Sequence, residues 1–542
     1  MVKSLPLYFI VYTIVLRMKI RRTIYLIIYF TLLSKLGLAQ TTFQKTFGGS
    51  LAEYCFSAKK TSDKGFVLAG FTKSYGLASN NFYIIKTDSV ASVLWSKIYG
   101  GGNDDQAYCI QQTTDGGYIM AGYTRSFGVQ YYDACLLKID ARGDTLWLKT
   151  YGGLNSEYGN NVIQTKDGGY IMTGYATDST SMYIVKTDAQ GNLLWQKLVG
   201  AGTGVTDGYC IKQTADKGYI ITGYGSGFGE VNGDVFLIKT DSLANPVFTK
   251  TYGYKGADWG NFMCETTDGG YVIGGSCSTD STGLDVDAYI IKTDANGDTL
   301  WTRAYGGPGN DYGQYIQQTT DGGYVLSGYS NSFGAGNYDA FLLKVNANGD
   351  TIFAKTFGGT GDDEANTVTQ TSDGGYVLTG QTNSYGRGDY DFYLIKTDAN
   401  GNSACQQTNV HLVNRTAKTR TVAASIWQIT PSYVQLSAHS AIYTGSNPTD
   451  VCSSIGIATF GDKPINLQVF PNPNNGLFSV SFNNASEEKV KLCVQNLLGE
   501  TVYAAYTVNG KEINLQHLIN GTYFACIQTR EKIYTEKIII AK

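Results

Sequence analysis

The chain has 542 residues, with 42 Lys and Arg against 45 Asp and Glu and a formal net charge of −3. Nucleic acid and anionic membranes both select basic surfaces, so this balance argues against either as a partner. Sixty-six Gly and 41 Tyr beside eight Pro point to many tight turns between aromatic-rich strands, an all-β composition.

The first predicted element is an export signal. Met18-Lys-Ile-Arg-Arg-Thr supplies a positive region, Ile24 to Leu33 an apolar core and Gly37-Leu38-Ala39 a small-residue cleavage site, so residues 18–39 read as a signal peptide. Residues 1–17 read as an upstream extension; their apolar run from Leu5 to Leu16 leaves a two-span anchor as the alternative. Cleavage after Ala39 would expose Gln40, with no Cys there for a lipid anchor, and no stable transmembrane span is expected in the mature chain.

Between Phe43 and Asp398 one pattern of about 52 residues is then written seven times. Its clearest word, Asp-Gly/Lys-Gly-aromatic, begins at Asp63, Asp115, Asp167, Asp216, Asp268, Asp321 and Asp373. A fixed period built of short strands signals a propeller or a solenoid. In the second copy the strands run from Ala107 to Thr113, Tyr118 to Thr124, Asp133 to Ile139 and Thr145 to Tyr151, the four antiparallel strands of a propeller blade.

The fourth strand carries an aromatic-x-basic signature, as at Trp95/Lys97, Trp147/Lys149 and Phe353/Lys355. The seventh copy lacks this strand, while Phe43-Gln-Lys45-Thr-Phe stands alone ahead of the first. The N-terminal strand is therefore expected to complete the seventh blade, closing a seven-bladed β-propeller over residues 41–403 with no open sheet edge.

Several residues recur in every copy. The third-strand Lys (Lys86, Lys138, Lys186, Lys239, Lys292, Lys344, Lys396) is expected to pair with a turn Asp rather than line a channel. Gly70, Gly122, Gly174, Gly223, Gly275, Gly328 and Gly380 mark either a close approach between blades or a strand bend. Cys55, Cys109, Cys210 and Cys264 read as buried thiols. Asp294-Ala-Asn296-Gly-Asp298 resembles half a calcium loop without its closing Glu and reads as a hairpin turn. No cofactor is expected, with Ca²⁺ the one candidate.

Loops before the first strand and after the second share one face, the candidate binding face. Ten residues before the repeat Asp, nine in the fourth copy, stands a carboxylate: Glu53, Asp105, Glu157, Asp207, Asp258, Asp311 and Asp363. Five copies add an aromatic-Gly pair at Tyr75, Phe127, Phe228, Phe333 and Tyr385, whereas copies three and five carry Ser179 and Asp280 there. Acids ringed by aromatics suit a carbohydrate or a cation-bridged polymer. They equally suit capping of backbone groups and plugging of gaps between blades.

His411, His439 and His517 all lie outside the repeats, which excludes a His-based triad or His-ligated metal there. No catalytic residue is singled out. A glycosidase using paired carboxylates stands as the enzymatic alternative, and a purely structural surface protein as a third reading.

Residues 404–462 form a Ser/Thr/Ala-rich, β-rich linker segment flanked by Cys405 and Cys452, the disulfide candidate. From 463 a new pattern begins with Pro471-Asn472-Pro473-x-x-Gly476. It continues through Leu498-Gly499 and Gly521-x-Tyr523 to a basic, apolar final strand with Lys537. Its alternating apolar strands read as a β-sandwich. This order of motifs resembles the type A C-terminal sorting domain of the type IX secretion system of Bacteroidota, and the repeats resemble the Asp-Gly-Gly-Tyr propeller arrays joined to such tails.

The resemblance implies an immunoglobulin-like sandwich over 463–542, Sec export, passage through the type IX machinery and removal of the tail by a sortase-like peptidase. The expected product is a released or cell-surface β-propeller that acts in binding or adhesion toward a glycan or protein.

Overall fold

The computed structural model describes residues 41–403, apart from loop residues 77–78, 129–130, 201–203, 229–231, 255 and 279–284, and, within 405–541, the strands named below with short segments beside them, among them Cys405, Val410, Gly476 and 515–520. The upstream extension and signal peptide, Asp280, Pro471, Asn472, Pro473 and Gly499 lie outside the described residues. The chain divides into two compact units that part between Ile455 and Gly456. None of the described residues forms a helix long and apolar enough to cross a membrane.

In the first unit, β-branched and aromatic runs form strands, and Asp-Gly or Asp-Lys turns reverse them. After β1 (Phe43–Phe47), the first repeat gives β2 (Glu53–Lys60), β3 (Phe66–Thr72), β4 (Asn81–Thr87) and β5 (Val93–Gly100). Residues 105–152, 157–200, 206–253, 258–306 and 311–357 repeat this as β6–β9, β10–β13, β14–β17, β18–β21 and β22–β25. The last repeat holds β26 (Asp363–Gln370), β27 (Tyr376–Thr382) and β28 (Asp391–Thr397). Its fourth strand is β1, antiparallel to β28 from Phe43 opposite Lys396 to Phe47 opposite Phe392.

Each first turn is clamped by its own Asp. Asp115 accepts hydrogen bonds from Thr113 Oγ1 and Gly117 N and an ion pair from Lys138. All seven third-strand lysines make this pair, at 2.6–3.0 Å. The next turn position has φ near +80° where Gly fills it, as at Gly116, and Lys64 and Lys217 adopt φ 70° and 69° in the same slot.

Sheets pack face to face in sequence. One hydrophobic cluster joins sheets one and two through Val67, Ile84, Ile110 and Leu137, and similar clusters lie at each following junction. The last brings Phe43, Phe47, Phe392 and Leu394 of the seventh sheet against Cys55, Leu68 and Tyr83 of the first. Hydroxyls reinforce the contacts: Tyr99, Tyr151, Tyr252 and Tyr305 each donate to a turn carbonyl of the next sheet at 2.6–2.7 Å.

Residues 405–453 depart from the sequence expectation of a linker. They supply β29 (Gln407–Asn409), β30 (Val413–Arg415), β31 (Arg420–Ala423), β32 (Trp427–Ile429), β33 (Val434–Ala438), β34 (Ala441–Thr444) and β35 (Thr449–Ser453). Each adds a fifth, outer strand to a different sheet, visiting sheets six, five, four, three, two, one and seven in turn. All seven pairings are antiparallel. The segment is a belt, and it covers the backbone edge that each fourth strand would otherwise leave open. Cys405 at its start is disulfide-bonded. Gln44 of β1 donates to the Cys405 carbonyl at 2.5 Å and stands opposite Cys452 in the β1–β35 ladder.

The second unit has two sheets. One orders β36 (Gln468–Phe470), β37 (Leu477–Ser481) and β40 (Glu512–Asn514); the other orders β39 (Thr501–Thr507), β38 (Val490–Gln495), β41 (Gly521–Gln528) and β42 (Ile533–Ile540). Both contribute to one core that includes Phe478, Val480, Leu492, Val494, Ile513 and Ile538.

Candidate functional site

The recurring glycines explain how the site is built. In every first strand the ladder slips by one residue opposite the Gly, between Cys55 and Ser57, Ala107 and Cys109, and so on to Ala365 and Thr367. A Cβ on Gly70 would collide with the Tyr54 carbonyl, and the other six glycines face the equivalent carbonyl. Both readings offered by the sequence are present: the strand bends in a β-bulge, which re-aims a side chain, and the carbonyls of Gly122, Gly223 and Gly275 lie close against Gly159, Gly260 and Gly313 of the next sheet.

The re-aimed residue sits seven positions before the repeat Asp. In chain order it is Phe56, Tyr108, Asn160, Tyr209, Asn261, Gln314 and Asn366. All seven line one cavity of about 530 Å³ bounded by the first strands of all seven sheets. Their neighbours Ser57, Cys109, Asn161, Phe262, Tyr315 and Thr367 line it too. Here the repeat stops repeating. The motif fixes the bulge and leaves its side chain unconstrained, and the lining is a mixture of amides, phenols and rings.

The amides are oriented. Asn160 Nδ2 donates to Gly208 O at 3.2 Å, Asn261 Nδ2 to Gly313 O at 2.8 Å and Asn366 Nδ2 to Cys55 O at 2.9 Å, each reaching the following sheet. The donor end is used by the scaffold, which leaves the carbonyl end to accept from a ligand. Rings, all but Tyr123 partly exposed, gather at the loop end of the same strands. Tyr54 lies 4.8 Å from Tyr390, Tyr158 5.1 Å from Tyr123, and Tyr312 5.0 Å from Tyr329, between centroids.

The carboxylates singled out from the sequence lie elsewhere. Glu53, Asp105, Glu157, Asp258, Asp311 and Asp363 are buried. Each accepts from a backbone N–H four residues upstream at 2.7–3.0 Å. Asp105 also accepts from Thr124 Oγ1 and from Ser126 Oγ at 2.7 Å. This is the geometry of loop capping.

Asp207 belongs to a different set. β14 opens at Thr206, opposite Gly225, as Glu53 stands opposite Thr72. Asp207 is one residue further along, so its side chain leaves the other face of the strand and lines the cavity. Burial pushes its carboxyl up to about 7, against the pull of Asn160 Nδ2 at 2.8 Å.

The loop aromatics fill gaps between sheets. Tyr75 and Tyr385 donate to Gly48 O and Gly358 O at 2.9 and 2.7 Å. Phe228 is buried, Phe127 packs on the core between sheets one and two, and Phe333 borders a small cleft with Val410.

Sequence reasoning missed a partner set of buried acids at the start of the third strands: Asp133, Asp234, Asp287, Asp339 and Asp391. Asp339 and Asp363 flank the same glycine, Gly358, and burial raises both carboxyls. Between sheets three and four both positions are hydroxyls, Ser181 and Thr206. Losing the pair together was the legible signal. Among the described residues no three or more His, Cys, Asp or Glu gather as a metal site.

In the second unit Gly476 has φ +95° and its carbonyl accepts from Leu515 N at 2.6 Å, tying β37 to β40. Gly521 opens β41, Tyr523 is buried with its hydroxyl on Ile519 O at 3.0 Å, and Lys537 stands opposite Phe524. A family model described as the secretion system C-terminal sorting domain matches residues 468–541. The chain carries a type IX sorting tail. The tail directs the protein through the type IX machinery to the cell surface or the extracellular space. No curated protein matches the chain.

Proposed function

We propose that the seven sheets close into a seven-bladed β-propeller which, once secreted, binds a glycan in its central cavity. Closure is supported by the strand β1 within the last sheet and by the core shared between sheets seven and one. The tail then acts as an immunoglobulin-like delivery module, removed by a sortase-like peptidase. Cys405 pairs with Cys452 in this reading, fastening the two ends of the belt beside Gln44.

One observation carries the binding role: a scaffold repeated seven times presents bulge residues of four kinds, Phe, Tyr, Asn and Gln, at one position. Structural positions recur because every blade needs them, whereas one ligand in the middle meets each blade differently. Amide oxygens and phenols match the hydroxyls of a sugar, and the rings at the loop end offer stacking faces. A hydrolytic reading has less support, since a two-carboxylate mechanism needs two acids. Asp207 is the one carboxylate among the described residues lining the cavity.

The test is a glycan array probed with the purified protein and with an Asn261→Leu, Gln314→Leu variant. Binding by the parent should drop at least tenfold in the variant at equal melting temperature. Undiminished binding would move the site to another surface.

A further inference from the structure

The wall of the cavity includes Lys59, and a second lysine, Lys212, reaches the Phe262 ring of the same wall from beside it. Four residues before the repeat Asp, the first strands hold Lys59, Gln111, Ile163, Lys212, Cys264, Gln317 and Thr369. Lysine therefore occurs in two of seven sheets, and both lysines converge on one aromatic pair. Phe262 and Tyr315 stack with centroids 3.7 Å apart and planes at 21°. Lys59 Nζ lies 5.3 Å from the Phe262 centroid and 4.5 Å from that of Tyr315, and donates to Tyr315 Oη at 2.7 Å. Lys212 Nζ lies 4.7 Å from the Phe262 centroid.

No described carboxylate is within ion-pair distance of either amine; the pairs formed by the other lysines are of the turn type. The groups around them are neutral. Burial raises the Cys210 thiol and the Tyr315 phenol, and burial lowers Lys59 itself. Asp207, the acid of the cavity, sits five residues nearer the loop end on its strand, on the order of 16 Å along an extended chain. Two amines held against one ring without a carboxylate beside them favour an anion arriving from outside.

We infer that Lys59 and Lys212 form an anion subsite at the turn end of the cavity, so that the bound glycan is acidic, carrying a carboxylate or sulfate. This rests on the cavity being the glycan site. Hydroxyls lie against the amides of the bulge residues, and the anionic substituent accepts from the two amines beside the Phe262–Tyr315 stack.

Inorganic sulfate and acetate at fixed ionic strength are the first probes, read by melting temperature of the full chain. Sulfate should raise it by about 2 °C relative to chloride, and a Lys59→Met, Lys212→Met variant should lose that increment. If the double variant does not fold, Lys212→Met alone serves, because its amine makes a ring contact and no hydrogen bond among the described residues. Equal shifts in parent and variant overturn the subsite.

The second arm compares oligogalacturonate, its neutral methyl ester and a sulfated galactan oligosaccharide. Preference for either charged sugar, at least tenfold and abolished in the lysine variant, supports the proposal and identifies the substituent. Equal binding of charged and neutral sugars overturns the subsite but leaves the cavity reading intact. Binding that ignores Asn261→Leu, Gln314→Leu removes the cavity reading itself.

Discussion

Asp105 and Tyr108 stand three residues apart on one strand and obey opposite rules. The first position is an acid in six sheets out of seven, buried and bonded to its own loop. The second is Phe, Tyr, Asn or Gln according to the sheet, and its side chain lines the cavity. Recurrence in a repeat protein therefore marks what the scaffold requires of itself, and loss of recurrence inside a conserved geometry marks where something else is met. The bulge divides the two regimes, since it holds the strand in place by its backbone and leaves the side chain free to vary.

The sharpest way to break this division is to remove the bulge. In Gly174→Val the new side chain would overlap the Tyr158 carbonyl. The strand must straighten or leave the sheet, with a loss of about 3 kcal/mol or more in chemical denaturation. A variant within ~0.5 kcal/mol of the parent would mean that the glycine does not hold the bulge.

Next in size is Asp105→Ala, which strips acceptors from Gly101 N, Thr124 Oγ1 and Ser126 Oγ inside a closed junction. A loss of about 2–3 kcal/mol is expected. Asn261→Ala forfeits one hydrogen bond at a cavity wall and should cost about 1 kcal/mol or less. Equal losses at the two sites would erase the distinction between scaffold and lining.

The comparison also shows what could be read from residues alone. Repeat number, strand order and the partnership of β1 with β28 follow from a regular period and a displaced fourth strand. The cavity lining did not follow. Recurring residues attract attention, and the informative position is the one that varies among Phe56, Tyr108, Asn160 and Gln314. The shift from Asp207 to Thr206 is a one-residue slip, which in a strand exchanges faces. The belt was hidden for another reason. Its strands are three to five residues long, too short for alternation to register. Their starts at 407, 413, 420, 427, 434, 441 and 449 nevertheless keep a spacing of six to eight residues, one step per sheet.

The belt extends the comparison outward, because its contacts are made by backbone and demand little of sequence. Cys405→Ser should free its end without melting the repeats. If Cys405 pairs with Cys452 as proposed, closing that loop is worth about 4 kcal/mol in the chain-entropy account, so the belt strands lose up to that much local stability. Limited proteolysis should then cut within 407–453 while residues 43–397 stay intact. Protection equal to that of the parent would show that the strand ladders alone hold the belt.

The smallest effect is graded with pH and separates two classes of recurring acid. Burial pushes Glu157 and Asp258 up to about 8, from ordinary values of 4.5 and 3.8. An acid whose pKa folding raises binds its proton more tightly in the native state. That stability is complete below the ordinary value and drains away as pH climbs through the interval to about 8.

The turn acids run the other way. Asp63 is held at about 2, where burial is outweighed by Lys86, Thr61 and Gly65 N; the Thr266 hydroxyl and then Lys292 hold Asp268 there too. Their contribution is present above the ordinary value and is lost as pH falls toward 2. The melting temperature should accordingly peak near about pH 4–5 and fall by ~5 °C toward pH 8. Asp258→Asn keeps an oxygen for Tyr254 N yet cannot ionise, so it should flatten the upper limb and leave the lower one unchanged. A parent profile already level from pH 5 to 8 would mean that the junction acids ionise as readily as exposed ones, and the pairing of Asp339 with Asp363 would then need a cation between them.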